Sequence, residues 1–160
     1  MDGLDDTTDE LLRRGYFEAR ICHDHPLRAI RRIVDEVIAS LAPELSALGS
    51  RQRLVQPECI LRAMLLQVLY PVPSDRALMG WLEHDTLSRW FVGIDTNELT
   101  WNHLAFSIQR GRLVEAGVAN RLLAALLADP EVRAILSAGG VSGEIAPPRQ
   151  WAWPAETEGS

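Results

Sequence analysis

The sequence predicts an all-α fold, a compact bundle of about six helices with an acidic arm before it and an irregular tail after it. Three observations lead there. Apolar residues recur at the helical period through 27–41 and again through 60–69. Start and stop signals bracket the shorter segments that follow. No stretch alternates apolar and polar residues as a half-buried strand would. A chain of 160 residues holds one domain with a real core and loose ends. The expected division is a flexible arm over 1–20, a helical domain over 21–137 and a disordered tail over 138–160.

The arm is weakly patterned, with one helical turn expected around Leu11-Leu12. Order begins at Asp24-His25-Pro26. Proline suits a first helical position because the N–H it lacks would be unbonded there. Leu27, Ile30, Val34, Val37, Ile38 and Leu41 then form one apolar stripe, opposite Arg28, Arg31, Arg32, Asp35 and Glu36, and Pro43 marks the stop. A second start follows at Gln56-Pro57-Glu58. Ile60, Leu61, Met64, Leu65, Val68 and Leu69, widened by Ala63 and Leu66, make a helix apolar round most of its girth, which belongs at the centre of a bundle. Pro71 and Pro73 end it, and the Ser74 hydroxyl is placed to cap the next helix, whose inner face is Leu78, Met79 and Leu82. A short helix is expected over Thr86–Val92, packed through Leu87, Trp90 and Phe91 and closed by Gly93. Another opens near Trp101-Asn102 and holds Phe106, Ile108 and Leu113, with Gln109, Arg110 and Arg112 among its polar positions. Ala116–Ala128 is the last long helix, through Val118, Leu122, Leu123 and Leu126; Asp129-Pro130 restarts a short turn that ends at Gly139-Gly140. Beyond Gly139 there is no apolar period, and nothing to offset the entropy of ordering the chain.

The formal charge of −6 argues against a uniformly basic nucleic-acid binder, but the charge is uneven. Residues 1–10 carry five acids and no base, whereas Arg20 to Arg133 carries 13 arginines and 13 acids. All 16 basic residues are arginine. No run approaches the roughly 20 apolar residues that span a bilayer, and the acidic start Met1–Asp6 is unlike a secretory signal. The expected location is therefore cytoplasmic, with no membrane partner. Cys22 and Cys59 make no disulfide framework. Cys22-His23-Asp24-His25 has metal-binding residue types, but Cys59, His84 and His103 are scattered singly and supply no second pair for structural zinc. No metal and no cofactor is expected. Gly-rich phosphate loops, nucleophile elbows and zinc-helix motifs are absent from the sequence, and Ser88 and Ser107 have no indicated base, so no catalytic residue is assigned.

Five segments in order resemble the InsH-type N-terminal domain of bacterial insertion-sequence transposases. They are Asp24-His25-Pro26-Leu27-Arg28-Ala29-Ile30-Arg31-Arg32, Pro57 through Tyr70, Ser74-Asp75-Arg76-Ala77-Leu78-Met79, Arg89-Trp90-Phe91-Val92-Gly93, and Trp101-Asn102-His103 through Arg110. Each is mostly a packing pattern; the His-Pro-Leu-Arg-Ala-Ile and Arg-Trp-Phe-Val-Gly strings are the most specific. The resemblance implies DNA transposition. In that family the helical region precedes an RNase H-like domain whose carboxylates hold divalent metals, the first Asp lying soon after the helices. Here the matching stretch, Ser137 to Glu144, has no Asp, so the resemblance implies a chain truncated before its catalytic domain and not itself an enzyme. A frameshift product, a regulator and a decayed gene all fit such a truncation. Arg51-Gln52-Arg53-Leu54, Ala105 and Gln109 depart from the family's usual residues.

The implied partner is DNA, at the terminal inverted repeats of an element. The helices over Pro57–Tyr70 and Ser74–His84 could act as a helix-turn-helix pair. Phosphate contacts would come from Arg28, Arg31 and Arg32 or from Arg110 and Arg112, and Gln109 could reach a base edge. The structural alternative is that these arginines form surface ion pairs, such as Arg31 with Asp35 one turn on. A second function is association, as a homo-oligomer or with intact transposase, through an apolar patch that Trp81, Trp90 or Trp101 would supply. A third is a vestigial product with no DNA affinity.

Overall fold

A computed structural model describes residues 26–48, 56–70, 72–94, 101–137 and Trp153. The described residues form eight helices and no strand: α1 Pro26–Ser40, α2 Ala42–Leu48, α3 Pro57–Leu69, α4 Asp75–His84, α5 Thr86–Val92, α6 His103–Glu115, α7 Val118–Ala128 and α8 Pro130–Ser137. The all-helical class is as expected; the count of about six falls short. Pro43 does not mark a stop but sits in the first turn of α2, where its missing N–H costs nothing. The Asp129 carboxylate accepts from the backbone N–H groups of Glu131 and Val132 at 2.9 and 3.1 Å, and so makes a helix of the turn expected after it. The predicted arm and the expected turn at Leu11-Leu12 lie outside the described residues, as does all of the predicted tail except Trp153.

Local chemistry sets most boundaries. Pro57 opens α3 behind the extended Gln56. The Ser74 hydroxyl accepts from the Ala77 N–H at 3.0 Å, and Asp85 caps α5 through the Ser88 N–H at 2.8 Å. Asn102 caps α6 by accepting from the Leu104 N–H at 2.7 Å. Gly93, at φ 92°, closes α5 in the left-handed region, which glycine adopts without a Cβ penalty. Gly117, at φ 81°, separates α6 from α7, so the last long helix starts at Val118 and not at Ala116.

Two groups of helices share the core. In one, α3 lies at the centre, buried from Ile60 to Leu69 apart from the half-buried Arg62, with α5 and α6 against it and α4 packed on α5 and α6. In the other, α1 lays Leu27, Ile30, Ile33, Val34 and Ile38 against α7 and α8, with α2 alongside. Contact between α6 and α7 joins the groups. Burying each large aliphatic side chain contributes roughly 1.5–3 kcal/mol, so the continuity of this cluster holds the chain together. Trp153 packs on the core, and its indole N–H donates to the Asn120 side chain on α7 at 2.8 Å, a placement that nothing in the aperiodic tail foretold. No helix among the described residues is long and apolar enough to cross a membrane.

Candidate nucleic-acid interface

On α1, Arg28 and Arg31 are half-buried, their guanidinium carbons 5.5 and 4.6 Å from the centre of the Trp90 ring on α5. Cations over an indole face are attracted by its quadrupole, by about 0.5–2 kcal/mol each. Arg32 is exposed and pairs with Glu131 of α8 at 2.5 Å. The expected helical pair of Arg31 with Asp35 does not form; Arg31 turns to Trp90, and Asp35 accepts from Arg62 of α3 at 2.6 Å. Arginines elsewhere are similarly occupied: Arg89, buried, donates to the Leu82 carbonyl at 3.0 Å, Arg121 pairs with Glu44 at 3.0 Å, and Arg133 donates to the Leu127 carbonyl at 2.7 Å.

On α6 the three predicted residues separate. Arg110 is only 6% exposed and donates from Nη2 to Asp75 Oδ2 at 3.1 Å. Asp75 sits in the first turn of α4, where the helix dipole favours a negative charge. Its other oxygen accepts from the Gln67 amide of α3 at 2.8 Å. The Ser107 hydroxyl lies within reach of both the Asp75 carboxylate and the His103 carbonyl, and with a single proton it donates to one at a time. One carboxylate thus ties α3, α4 and α6 together. Arg112, two residues beyond Arg110, is exposed and has no ion pair among the described residues. Gln109 is half-exposed, and its amide makes no hydrogen bond to a described residue.

The apolar positions of α6 also differ from expectation. Its buried residues are Phe106, Arg110 and Leu113, at i, i+4 and i+7. Ile108, an apolar residue that the sequence groups with Phe106 and Leu113, is 60% exposed, and Leu104 is 62% exposed. With about 100° per residue, Ile108 lies some 160° round the helix from Phe106, so only one of the two faces inward. Among the described residues the exposed large apolar side chains are therefore Leu104, Ile108 and, at 40%, Leu48, and none is a tryptophan. Trp90 is 7% exposed, Trp81 meets Tyr70 edge-on with ring centres 5.4 Å apart, and Trp101 stacks on Phe106 at 6.2 Å.

Sequence reasoning missed Asp75 and Arg76. An acid in a first turn has a local reason to be there, so nothing in the sequence pointed to a partner 35 residues away. Arg76, beside it, is exposed and without an ion pair among the described residues. Because Asp75 holds the start of α4 against α6 at Ser107 and Arg110, Arg76 and Arg112 belong to adjoining helices. The two predicted sets are not merged: α1 and α6 each pack on α7. The described residues contain no group of three or more His, Cys, Asp or Glu side chains placed to hold a metal ion.

Comparison with known proteins finds one family. The family described as Transposase domain (DUF772) matches residues 15–112 of the chain, from before α1 to Arg112 near the end of α6. No curated protein and no solved structure is matched.

Proposed function

The chain belongs to the transposase domain family (DUF772), and from that membership we propose that it is the N-terminal helical domain of an insertion-sequence transposase that binds the terminal repeats of its element and does no strand-transfer chemistry itself. The family match, which takes in all of α1 to α5 and α6 as far as Arg112, is the observation that carries the reading. Two features of the molecule support it. Arg76 and Arg112 are exposed and unneutralised by any described residue on adjoining helices, as a phosphate-binding surface requires. Among the described residues Asp35, Glu44, Asp75, Asp85, Asp129 and Glu131 are engaged in ion pairs and helix caps, and no three His, Cys, Asp or Glu side chains there are grouped to hold a metal ion.

Fluorescence anisotropy of the purified chain tests this, with a duplex carrying the end repeat read from the DNA flanking its gene, and a scrambled duplex, from low to physiological salt. The expected result is a preference for the repeat of about tenfold, roughly 1.4 kcal/mol, with affinity falling steeply as salt rises. Equal binding to both duplexes, or none by a folded sample, overturns it. A second reading has one observation in its favour: the exposed Leu104 and Ile108 would suit pairing with another copy or with intact transposase. A vestigial product would show neither activity.

A further inference from the structure

We infer that α6 is the helix that reads the duplex, entering the major groove with Leu104, Ile108, Gln109 and Arg112; this rests on the DNA-binding reading above. The outward side of α6 is an aliphatic ridge that ends in a cation. Leu104 and Ile108 are 62% and 60% exposed one turn apart, and the exposed Arg112 follows one turn later. At 1.5 Å per residue the ridge is roughly 12 Å long, and the major groove is wide enough to admit a helix. The Gln109 amide is half-exposed beside it and unspent on any described residue.

Charge decides which partner fits. A protein surface that buried Leu104 and Ile108 would also cover Arg112 and Gln109 and would have to supply an acid for the one and a hydrogen-bonding group for the other, because a guanidinium or an amide taken from water without a partner is costly. A duplex offers what each side chain needs: thymine methyl groups for Leu104 and Ile108, an adenine edge for Gln109, and phosphate oxygens for Arg112. Arg76, on the adjoining α4, adds a second cation beside the same helix. Glu115, exposed three residues past Arg112, forms no ion pair with it.

The rotation of α6 is set by its opposite side. Phe106 and Leu113 are buried, and Arg110 is held by Asp75 at the start of α4, so the helix cannot roll to hide the ridge without breaking a buried ion pair. Its outward side is thereby presented in one orientation, as a base-reading helix requires.

The test uses the full chain and its Leu104→Ala, Ile108→Ala, Gln109→Ala and Arg112→Ala variants, with the end-repeat duplex, a scrambled duplex, and repeats in which individual thymines are replaced by uracil. Thermal melts confirm that each variant folds. Arg112→Ala is expected to weaken binding to both duplexes about tenfold, and Gln109→Ala and Ile108→Ala to reduce the preference for the repeat by a similar factor with little change on the scrambled duplex. Uracil at a contacted position should weaken the native chain but not Ile108→Ala, because the methyl group and its partner act as a pair. If the native chain prefers the repeat and all four variants keep that preference, α6 is not the reading helix although DNA recognition stands. If the native chain shows no preference, both readings fall together. If Ile108→Ala dissociates a dimer in sedimentation and leaves DNA binding intact, the ridge is an interface between copies and the inference is overturned.

Discussion

On α1, Arg28 and Arg31 lie over the Trp90 ring and Arg32 reaches Glu131, whereas Arg76 on α4 and Arg112 on the adjoining α6 stand exposed with no ion pair among the described residues. By sequence the first face is the more basic, with three arginines in five residues. In the fold it is the more occupied. A cation already resting on an indole or a carboxylate must give up that contact to meet a phosphate, so the number of arginines in a segment overstates what a polyanion would encounter. The two faces also differ in what holds them: α1 depends on α7 and α8, while α4 and α6 are held to α3 through Asp75.

Four experiments separate the faces. A chain ending at Ala116 removes α7 and α8 and leaves α3 to α6 whole. It strips from the core Val118, Leu122, Leu123, Leu126 and Val132. At roughly 1.5–3 kcal/mol for each large aliphatic, that loss rivals the about 5–15 kcal/mol by which a whole domain is stable. Loss of the cooperative unfolding transition in circular dichroism is the expected result; a full-height transition at the native midpoint would show that α1 does not need its partners. The next effect comes from Arg110→Met, which leaves the Asp75 carboxylate buried beside an apolar side chain. It is expected to destabilise by about 3–5 kcal/mol in urea titration, whereas Arg112→Ala, two residues on, should change stability by less than about 0.5 kcal/mol. Equal effects at the two positions would erase the distinction between the faces of α6. Ser74→Ala removes the cap that starts α4 beside this node and should cost about 1 kcal/mol by thermal melt. The smallest effect is that of Arg32→Ala on α1, at most about 0.5 kcal/mol in stability because its pair with Glu131 is half-exposed. Its salt dependence of DNA binding should match that of the native chain, while Arg112→Ala flattens the slope by about 1; the opposite pattern would move the DNA to α1.

Most helices were legible because each carried its own boundary chemistry. Ser74, Asn102 and Gly93 act as the sequence predicts, and the apolar girth of α3 placed it at the centre. α2 was hidden because Pro43 suits a helix start as well as a position past an end, and spacing alone does not distinguish the two. The face of α6 was misassigned for a different reason. Phe106 and Leu113 lie seven residues apart, and the residue that completes their stripe is Arg110, not Ile108. Residue type outweighed spacing in that reading, and spacing was right. What no local pattern contains is the partner that makes a buried arginine tolerable, since Asp75 is 35 positions away. The same limit hid the pairing of Arg28 and Arg31 with Trp90, which depends on how α1 and α5 meet.

The pairing of α1 with helices from the far end of the described fold has a consequence for synthesis. Arg32 and Glu131 are 99 residues apart, and the apolar stripe of α1 faces helices translated near Glu131. At roughly 5–20 residues per second, a nascent chain holds that stripe without its partners for on the order of 5–20 s. A ribosome-bound chain stalled before α7 would therefore carry an α1 whose greasy side is open to a chaperone, and the domain would close only when its last helices leave the exit tunnel.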